Sequence, residues 1–402
     1  MRHVLWVNGW PRIGGAERAQ LVLFRELRHR YQVSALFADG VTPALEEATG
    51  ALGIPIARAP LTQLRQTLDP TVLLRFAKRC AASNWAVHRA INDRKVDLVH
   101  VTHLYDIPFC ALACRTHRVP LFWWVEDPED YNAVNRFITN TCRVDGYAAT
   151  STAVLRRLTD GGILAPRRGM VPNPYDQSIF VHGDASRERA NAGQPVRVGY
   201  AGLFVERKGV LELCRAFVEL SRRLGDTRVE LWLAGGGGGE YRAAMERALR
   251  EGSVWDRVRF VEGLHSPEQM LSFYREIDIF VMLSKGEGMS IAMLESMASG
   301  LPAAILAPWG DDAIEDGVTG VSLRSDAPEA VAAALEPLVR DTERRLTMGA
   351  RAAEHLRRNF SGPRVAERIA HCYERLWATH GSATESADRV DPGPLRGEPP
   401  TF

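Results

Sequence analysis

The sequence predicts an α/β protein made of two doubly wound parallel sheets. Three observations carry that expectation. The chain has 402 residues with 46% hydrophobic and 25% charged content, the size and balance of an ordinary globular protein of two domains. Its opening, His3 to Ala38, reads strand, glycine loop, helix, strand, which begins a doubly wound domain. A second series of short apolar strands alternating with helices begins at Val196.

His3 to Val7 is the first strand, and Asn8 to Ile13 a loop. Gly14-Gly-Ala-Glu17 then opens a helix with Ala19, Leu23 and Leu27 on one face, and Tyr31 to Ala38 is the next strand. The pair Gly14 and Gly15 lets a phosphate approach backbone at the positive end of that helix. The loop is not G-x-G-x-x-G, and Asp39 alone does not complete a dinucleotide fingerprint, so no nicotinamide cofactor is expected.

Residues 41 to 95 are less regular, apart from a long helix over Pro70 to Asn92. It carries Arg75, Lys78, Arg79 and Arg89, with Arg94 just beyond. Such a helix suits an anionic lipid surface or plain solvent. Ser83 and Asn84 interrupt its apolar stripe, which favours solvent. Asp97 to Val101 and Leu121 to Val125 are runs fit for central strands. Thr102, His103 and Asp106 follow one; Glu126, Asp127 and Asp130 follow the other. Ligands of open α/β sheets sit beyond the carboxyl ends of strands, so these residues are expected at the site, although caps and turns are their commoner use. Trp6, Trp10, Trp123, Trp124 and Tyr131 lie near the same ends, either as stacking surfaces for a sugar ring or as buried aromatics. Gly146 to Thr150 and Gly169 to Val171 close the first half.

Pro172, Pro174 and a polar stretch from His182 to Gln194 mark the boundary. The expected organisation is a first domain over residues 1–172, a linker over 173–195 and a second domain over 196–361. A helix over 362–380 is expected to return to the first domain, and a Pro-, Gly- and charge-rich tail over 381–402 to be disordered. Strands of the second half run over Val196–Ala201, Val229–Ala234, Val258–Val261, Ile277–Leu283 and Ala303–Leu306.

The second half holds the most informative stretch, Ser284 to Pro302. A Gly-flanked loop, Lys285-Gly-Glu-Gly288, follows a strand; Ser290 caps a helix, and Gly300 with Pro302 ends it. Backbone N–H groups at such a helix start, here around Gly288, Met289 and Ser290, favour an anion. Ionised Glu287 and Glu295 only accept hydrogen bonds and so suit the vicinal hydroxyls of a sugar. A ligand with both ends is a nucleotide sugar. The alternative is a solvated helix with two surface glutamates. A glycosidase pair fits poorly, because its carboxylates flank one bond from different elements. A second anion-friendly turn, Gly202 to Gly209, puts Arg207 and Lys208 at the carboxyl end of the first strand of this half.

Composition limits the classes of partner. Fifty Lys and Arg against 49 Asp and Glu give a net charge of +1, which removes a bulk attraction for nucleic acid without excluding a local patch. The six cysteines are scattered without a C-x-x-C pair, as expected of reduced thiols in a cytoplasmic protein without structural zinc. The N-terminal apolar run is too short for a signal peptide, and no run approaches the ~18 residues of a membrane span. No D-x-D motif is present, so a metal-independent site without cofactor is expected.

These features resemble the retaining glycosyltransferases of family 4, over most of residues 1 to 378. The carriers are Gly14-Gly-Ala-Glu17, Asn173 to Phe180, the turn Arg207-Lys208-Gly209, and Glu287 with Glu295 eight positions on. The resemblance implies the GT-B fold, two facing Rossmann-like domains with a cleft between them. It implies transfer from a UDP- or GDP-sugar to a hydroxyl of a sugar, lipid-linked or small-molecule acceptor, with retention, at the membrane's inner face or free of it. Glu295 would hold the donor ribose. Glu287 and the backbone of Gly288 to Ser290 would hold the sugar and diphosphate. Lys208 would neutralise the diphosphate, and Gly15 would approach it from the first domain. This chain has Leu203 where the family usually has Arg, and Trp124-Val-Glu-Asp127 where it usually has a histidine. Arg207 is then the candidate for the missing phosphate charge; His103 or Glu126, beside Asp127, for the missing sugar contact. A sugar-nucleotide epimerase of the same fold and a nucleotide-sugar-binding protein without transfer are the rival functions.

Overall fold

Strand segments such as Val4-Leu-Trp-Val7 and Phe122-Trp-Trp-Val125 are apolar at every position, and strands of this kind need cover on both faces. A computed structural model describes residues 1–62, 69–126, 133–163, 165–183, 185–225 and 227–379. Asp127, Asp130, Tyr131 and the tail 381–402 lie outside the described residues. The chain divides into two units, Met1–Pro174 with the chain from Gly362 onward, and Tyr175–Ser361.

The first unit opens with β1 (His3–Asn8), α1 (Gly15–Leu27), β2 (Gln32–Ala38), α2 (Pro43–Ala51) and β3 (Ile56–Ala59). It continues through α3 (Pro70–Arg94), β4 (Leu98–Val101), α4 (Ala111–His117) and β5 (Leu121–Val125). Then follow α5 (Ala133–Cys142), β6 (Gly146–Ala149), α6 (Thr152–Asp160) and β7 (Arg167–Met170). All seven strands are parallel, in the order β3-β2-β1-β4-β5-β6-β7, with Val4 opposite Leu98 at the reversal. The span expected to be less regular therefore supplies α2 and the edge strand β3. That strand's sequence, Ile-Ala-Arg-Ala, is only partly buried and gives no apolar run.

Trp6, Trp123 and Trp124 are fully buried in this sheet, so they are core and not stacking surfaces. Each such burial contributes about 2–3 kcal/mol. Ser83 and Asn84 correct the reading of α3: both face inward. Asn84 donates to the carbonyls of Cys80 (2.9 Å) and Pro108 (2.8 Å) and accepts from Ala113 N–H (3.0 Å). A buried amide satisfied on all sides belongs to the core, while Arg75, Lys78, Arg79 and Arg89 of the same helix are exposed, as a solvated face requires.

The second unit contains α7 (Ala185–Asn191), β8 (Val196–Ala201), α8 (Val210–Leu224), β9 (Val229–Ala234), α9 (Gly239–Glu251) and β10 (Val258–Val261). It ends with α10 (Pro267–Glu276), β11 (Ile279–Met282), α11 (Ile291–Ala298), β12 (Ala303–Leu306), β13 (Gly320–Leu323), α12 (Pro328–Arg340) and α13 (Thr342–Asn359). Its six parallel strands follow the order β10-β9-β8-β11-β12-β13. Strand β13 was missed because Gly-Val-Ser-Leu carries no signal beyond two apolar residues. Residues 173–195, expected as a linker, include α7, whose Arg189 donates to the Asp278 carboxylate at 2.8 Å and to the carbonyl of Ile277.

The last helix, α14 (Gly362–Thr379), belongs to the first unit. Its Tyr373 is hydrogen-bonded to His100 of β4, and its Trp377 donates to the carbonyl of Asp97 at 2.7 Å. Burial holds the His100 imidazole neutral, well below its ordinary pKa.

Candidate active site

In the second unit the strand order reverses between β8 and β11, where open α/β sheets place their ligands. The turn after β8, Glu206–Lys208, ends at Gly209 with φ +65°. A Cβ there would collide with the carbonyl oxygen of Leu283 just past β11, so glycine is what lets the two loops press together. Main-chain bonding holds them, Lys285 N–H donating to Arg207 O at 2.8 Å.

Three predicted residues meet at this junction. The Lys208 ammonium bonds Glu287 Oε1, and the Arg207 guanidinium reaches the same oxygen at 3.4 Å and also donates to Gly286 O. Ser284 Oγ donates to that carboxylate oxygen at 2.7 Å. Lys208 is 17% exposed and Glu287 9%, whereas Arg207 is 53% exposed. Lys208 and Glu287, expected to face separate parts of a donor, are thus partnered with each other, and Arg207 presents its free edge outward. Gly288 and Met289 are buried, and Ser290 caps α11 by accepting Met293 N–H at 3.4 Å. Glu295 is buried on that helix and accepts from Tyr274 OH at 3.1 Å. Leu203, in the position of the usual arginine, is exposed and adds no charge. Sequence reasoning passed over Gly235 to Gly239, five glycines after β9. A Cβ on Gly235 would collide with Gly202 O, so this run lets the loops after β8 and β9 close-pack beside the site.

The first unit has its own polar centre at the carboxyl ends of β1, β4 and β5. Glu17 is buried there; it takes Gly14 N–H at 2.8 Å, Asn8 Nδ2 at 3.2 Å and the His103 ring at 3.4 Å. Both glycines are exposed, but the Gly14 N–H is used internally by Glu17. Burial alone would lower the His103 pKa, but the Glu17 hydrogen bond and the charges of Asp106, Glu17 and Glu126 outweigh it and lift it to about 9. Burial pushes the Asp106 carboxyl up to about 6, against the pull of His103 and of Gly9 N–H. Glu126 is buried at the end of β5 beside this group. His103 and Glu126 thus come together. Glu17, Asn8 and Asp106 complete the network; Asp106 was expected at this edge, Glu17, three residues after Gly14, carried only the signal of a helix-start carboxylate, and Asn8 carried none.

A cavity of about 670 Å³ opens among the loops after β1, β2 and β3, lined by Trp10, Arg12, Asp39, Leu61 and, from α3, Arg79. Neither Arg12 nor Arg79 has an ion-pair partner among the described residues. Among the described residues no three His, Cys, Asp or Glu side chains gather as a metal-ligand set, and no helix is long and apolar enough to cross a membrane.

Two Rossmann-type units with cations and carboxylates at the carboxyl edges of their sheets define a glycosyltransferase of the GT-B fold. Residues 13–179 match the family model described as Glycosyltransferase Family 4, and residues 195–341 that described as Glycosyl transferases group 1. The chain belongs to glycosyltransferase family 4. It is 29% identical over 391 residues to D-inositol 3-phosphate glycosyltransferase of Nocardia farcinica, covering 89% of this chain and 84% of that protein. The protein of the same name from Corynebacterium aurimucosum is 31% identical over 207 residues, 49% of each chain. Anabaena HepE in complex with UDP and glucose matches with a TM-score of 0.74 and 19% identity, over 93% of this chain and 100% of that one, a likeness of fold.

Proposed function

We propose that this glycosyltransferase moves a sugar from a nucleoside-diphosphate sugar to a hydroxyl of an acceptor bearing an anionic group, with retention at the anomeric carbon. The observation that carries the donor half is the convergence of Lys208, Arg207 and Glu287 where β8 and β11 part. Breaking the bond from the sugar to the diphosphate builds negative charge on the departing phosphate and positive charge on the anomeric carbon. Fixed cations and helix-start amides at that phosphate stabilise the developing charge more than the ground state. Lys208 and the outer edge of Arg207 take that role, with the amides around Met289. Glu287 holds Lys208 in place and accepts from a sugar hydroxyl, and Glu295 accepts from the ribose. The acceptor oxygen bonds the anomeric carbon from the face the diphosphate leaves, and its proton passes to the departing phosphate oxygen.

The acceptor half rests on the first unit. Arg12 and Arg79, neither of them in an ion pair among the described residues, line a cavity wide enough for a small polyol, and two guanidiniums suit a phosphate ester. The relatives named for D-inositol 3-phosphate act on a compound of that kind. His103, Glu126 and Asp127 are assigned to the same side.

The test begins with a thermal-shift screen of UDP-, GDP- and dTDP-sugars, since a ligand that binds only the folded chain stabilises it by mass action. The stabilising donor is then offered to D-inositol 3-phosphate and to inositol, and the product is read by NMR. The reading expects one donor class to bind and transfer to favour the phosphorylated acceptor, with the donor's anomeric configuration kept. An inverted product, equal use of both acceptors, or no donor that shifts the melt would overturn the corresponding part.

A further inference from the structure

We propose that the outer face of α3, continued by α4 and α5, docks the first unit on an anionic lipid surface. The charge reading of the sequence favoured solvent because Ser83 and Asn84 broke the apolar stripe. The structure puts both on the inner side of α3, with Val87 and Ile91. The outer side is the one with exposed apolar side chains. Leu74, Lys78, Trp85 and Arg89 stand at positions i, i+4, i+11 and i+15 and share that face. Leu74 is 59% exposed and Trp85 62%, although the Trp85 ring is held flat on His88, 4.9 Å between centroids.

The neighbouring helices extend the pattern. Arg115 of α4 donates to Thr141 O of α5 at 3.3 Å, tying the two together, and they expose Leu112 and Phe137, the latter 68% exposed. Along α3, α4 and α5 there are seven Lys and Arg against one acid, Asp93, in a chain whose net charge is only +1. On the outer face Lys78 forms no ion pair among the described residues, and Arg89 meets Asp93 only at 3.8 Å in an exposed pair.

A face that is both cationic and studded with Trp, Leu and Phe matches the headgroup zone of a bilayer. Anionic phosphates meet the cations there, and amphipathic rings settle at the boundary of the acyl chains. A free polyanion would use the cations and leave the apolar residues without a role. A protein groove would call for a net apolar stripe without so dense a charge. The proposal is independent of the donor and acceptor assignments.

Co-sedimentation of the full chain with large unilamellar vesicles tests it, comparing phosphatidylcholine alone with phosphatidylcholine containing about one-third phosphatidylglycerol. The wild-type chain is expected to partition at least about tenfold more onto the anionic vesicles, with the difference lost in high salt. Lys78→Glu with Arg89→Glu should fall to the neutral-vesicle level. Leu74→Ser with Trp85→Ser should lose about fivefold or more while keeping salt sensitivity. These side chains are exposed, and unchanged circular dichroism and melting confirm that each variant folds. Equal partition onto both vesicle types would overturn the proposal. So would a charge-reversed variant that binds like wild type, an apolar variant that loses nothing, or capture by heparin without vesicle binding.

Discussion

Lys208 and Glu287 form a nearly dry ion pair with a functional consequence. A pair at this depth contributes little net stability, because desolvation offsets much of the attraction, yet removing one partner strands the other at a cost of about 3–5 kcal/mol. Lys208→Ala should therefore lower both kcat/KM and stability, whereas Lys208→Met with Glu287→Gln should fold well and stay inactive. If Lys208 meets the diphosphate and Glu295 the ribose, Lys208→Ala and Glu295→Ala each lose about tenfold or more in kcat/KM, in the direction of the ~10²–10³ seen when one preorganised donor is removed. Steady-state kinetics with the selected donor checks this. His103 supplies a pH prediction. Its folded pKa, about 9, lies above the ordinary value of 6.5, so its stabilising contribution is complete below about pH 6.5 and is lost as pH rises towards 9. Asp106 is also raised, to about 6, so its own loss with rising pH is over before that window begins. Urea unfolding should show His103→Gln less stable than wild type near pH 6, by on the order of 2 kcal/mol, with the gap closing by about pH 10. A constant gap would contradict the assignment.

Among the elements, the turn Glu206–Gly209 and the loop after β11 form one unit, and Gly209 is its hinge pin. Gly209→Ala places a methyl against Leu283 O at a positive φ, and should destabilise the second unit by about 2 kcal/mol or more and raise KM for the donor. Urea unfolding together with donor titration measures both effects. This same turn shows how much the sequence disclosed. Arg207, Lys208, Glu287 and Glu295 were legible because glycines and a capping serine bracket them and because an apolar strand precedes each loop. β3 and β13 were not, since edge strands of four residues carry too few apolar positions to mark them. Asn84 misled because its partners, Pro108 O and Ala113 N, come from another helix and turn. Trp6, Trp123 and Trp124 were open to two readings until the sheet was seen covered on both faces. The pairing of Lys208 with Glu287, 79 positions apart, is a tertiary fact that no local pattern reports.

Over the whole molecule, two Rossmann-type units share a division of labour under the proposed function: diphosphate charge is met in the second, acceptor charge in the first. Because Lys208 and Arg207 are given the role that a divalent ion has in other sugar transfers, EDTA should leave the transfer rate unchanged. A loss restored by Mg²⁺ would move that role to a metal. Arg79→Gln should raise KM for a phosphorylated acceptor about tenfold while leaving donor affinity unchanged, a split that separates the two units' contributions. The central claim, that the carboxyl edge of the second sheet holds the donor's diphosphate through Lys208, is tested most directly by isothermal titration. The nucleoside diphosphate chosen by the donor screen is titrated into wild type and into Lys208→Met with Glu287→Gln. The expected result is at least about tenfold weaker binding by the folded double variant; the same Kd for both proteins would contradict the claim.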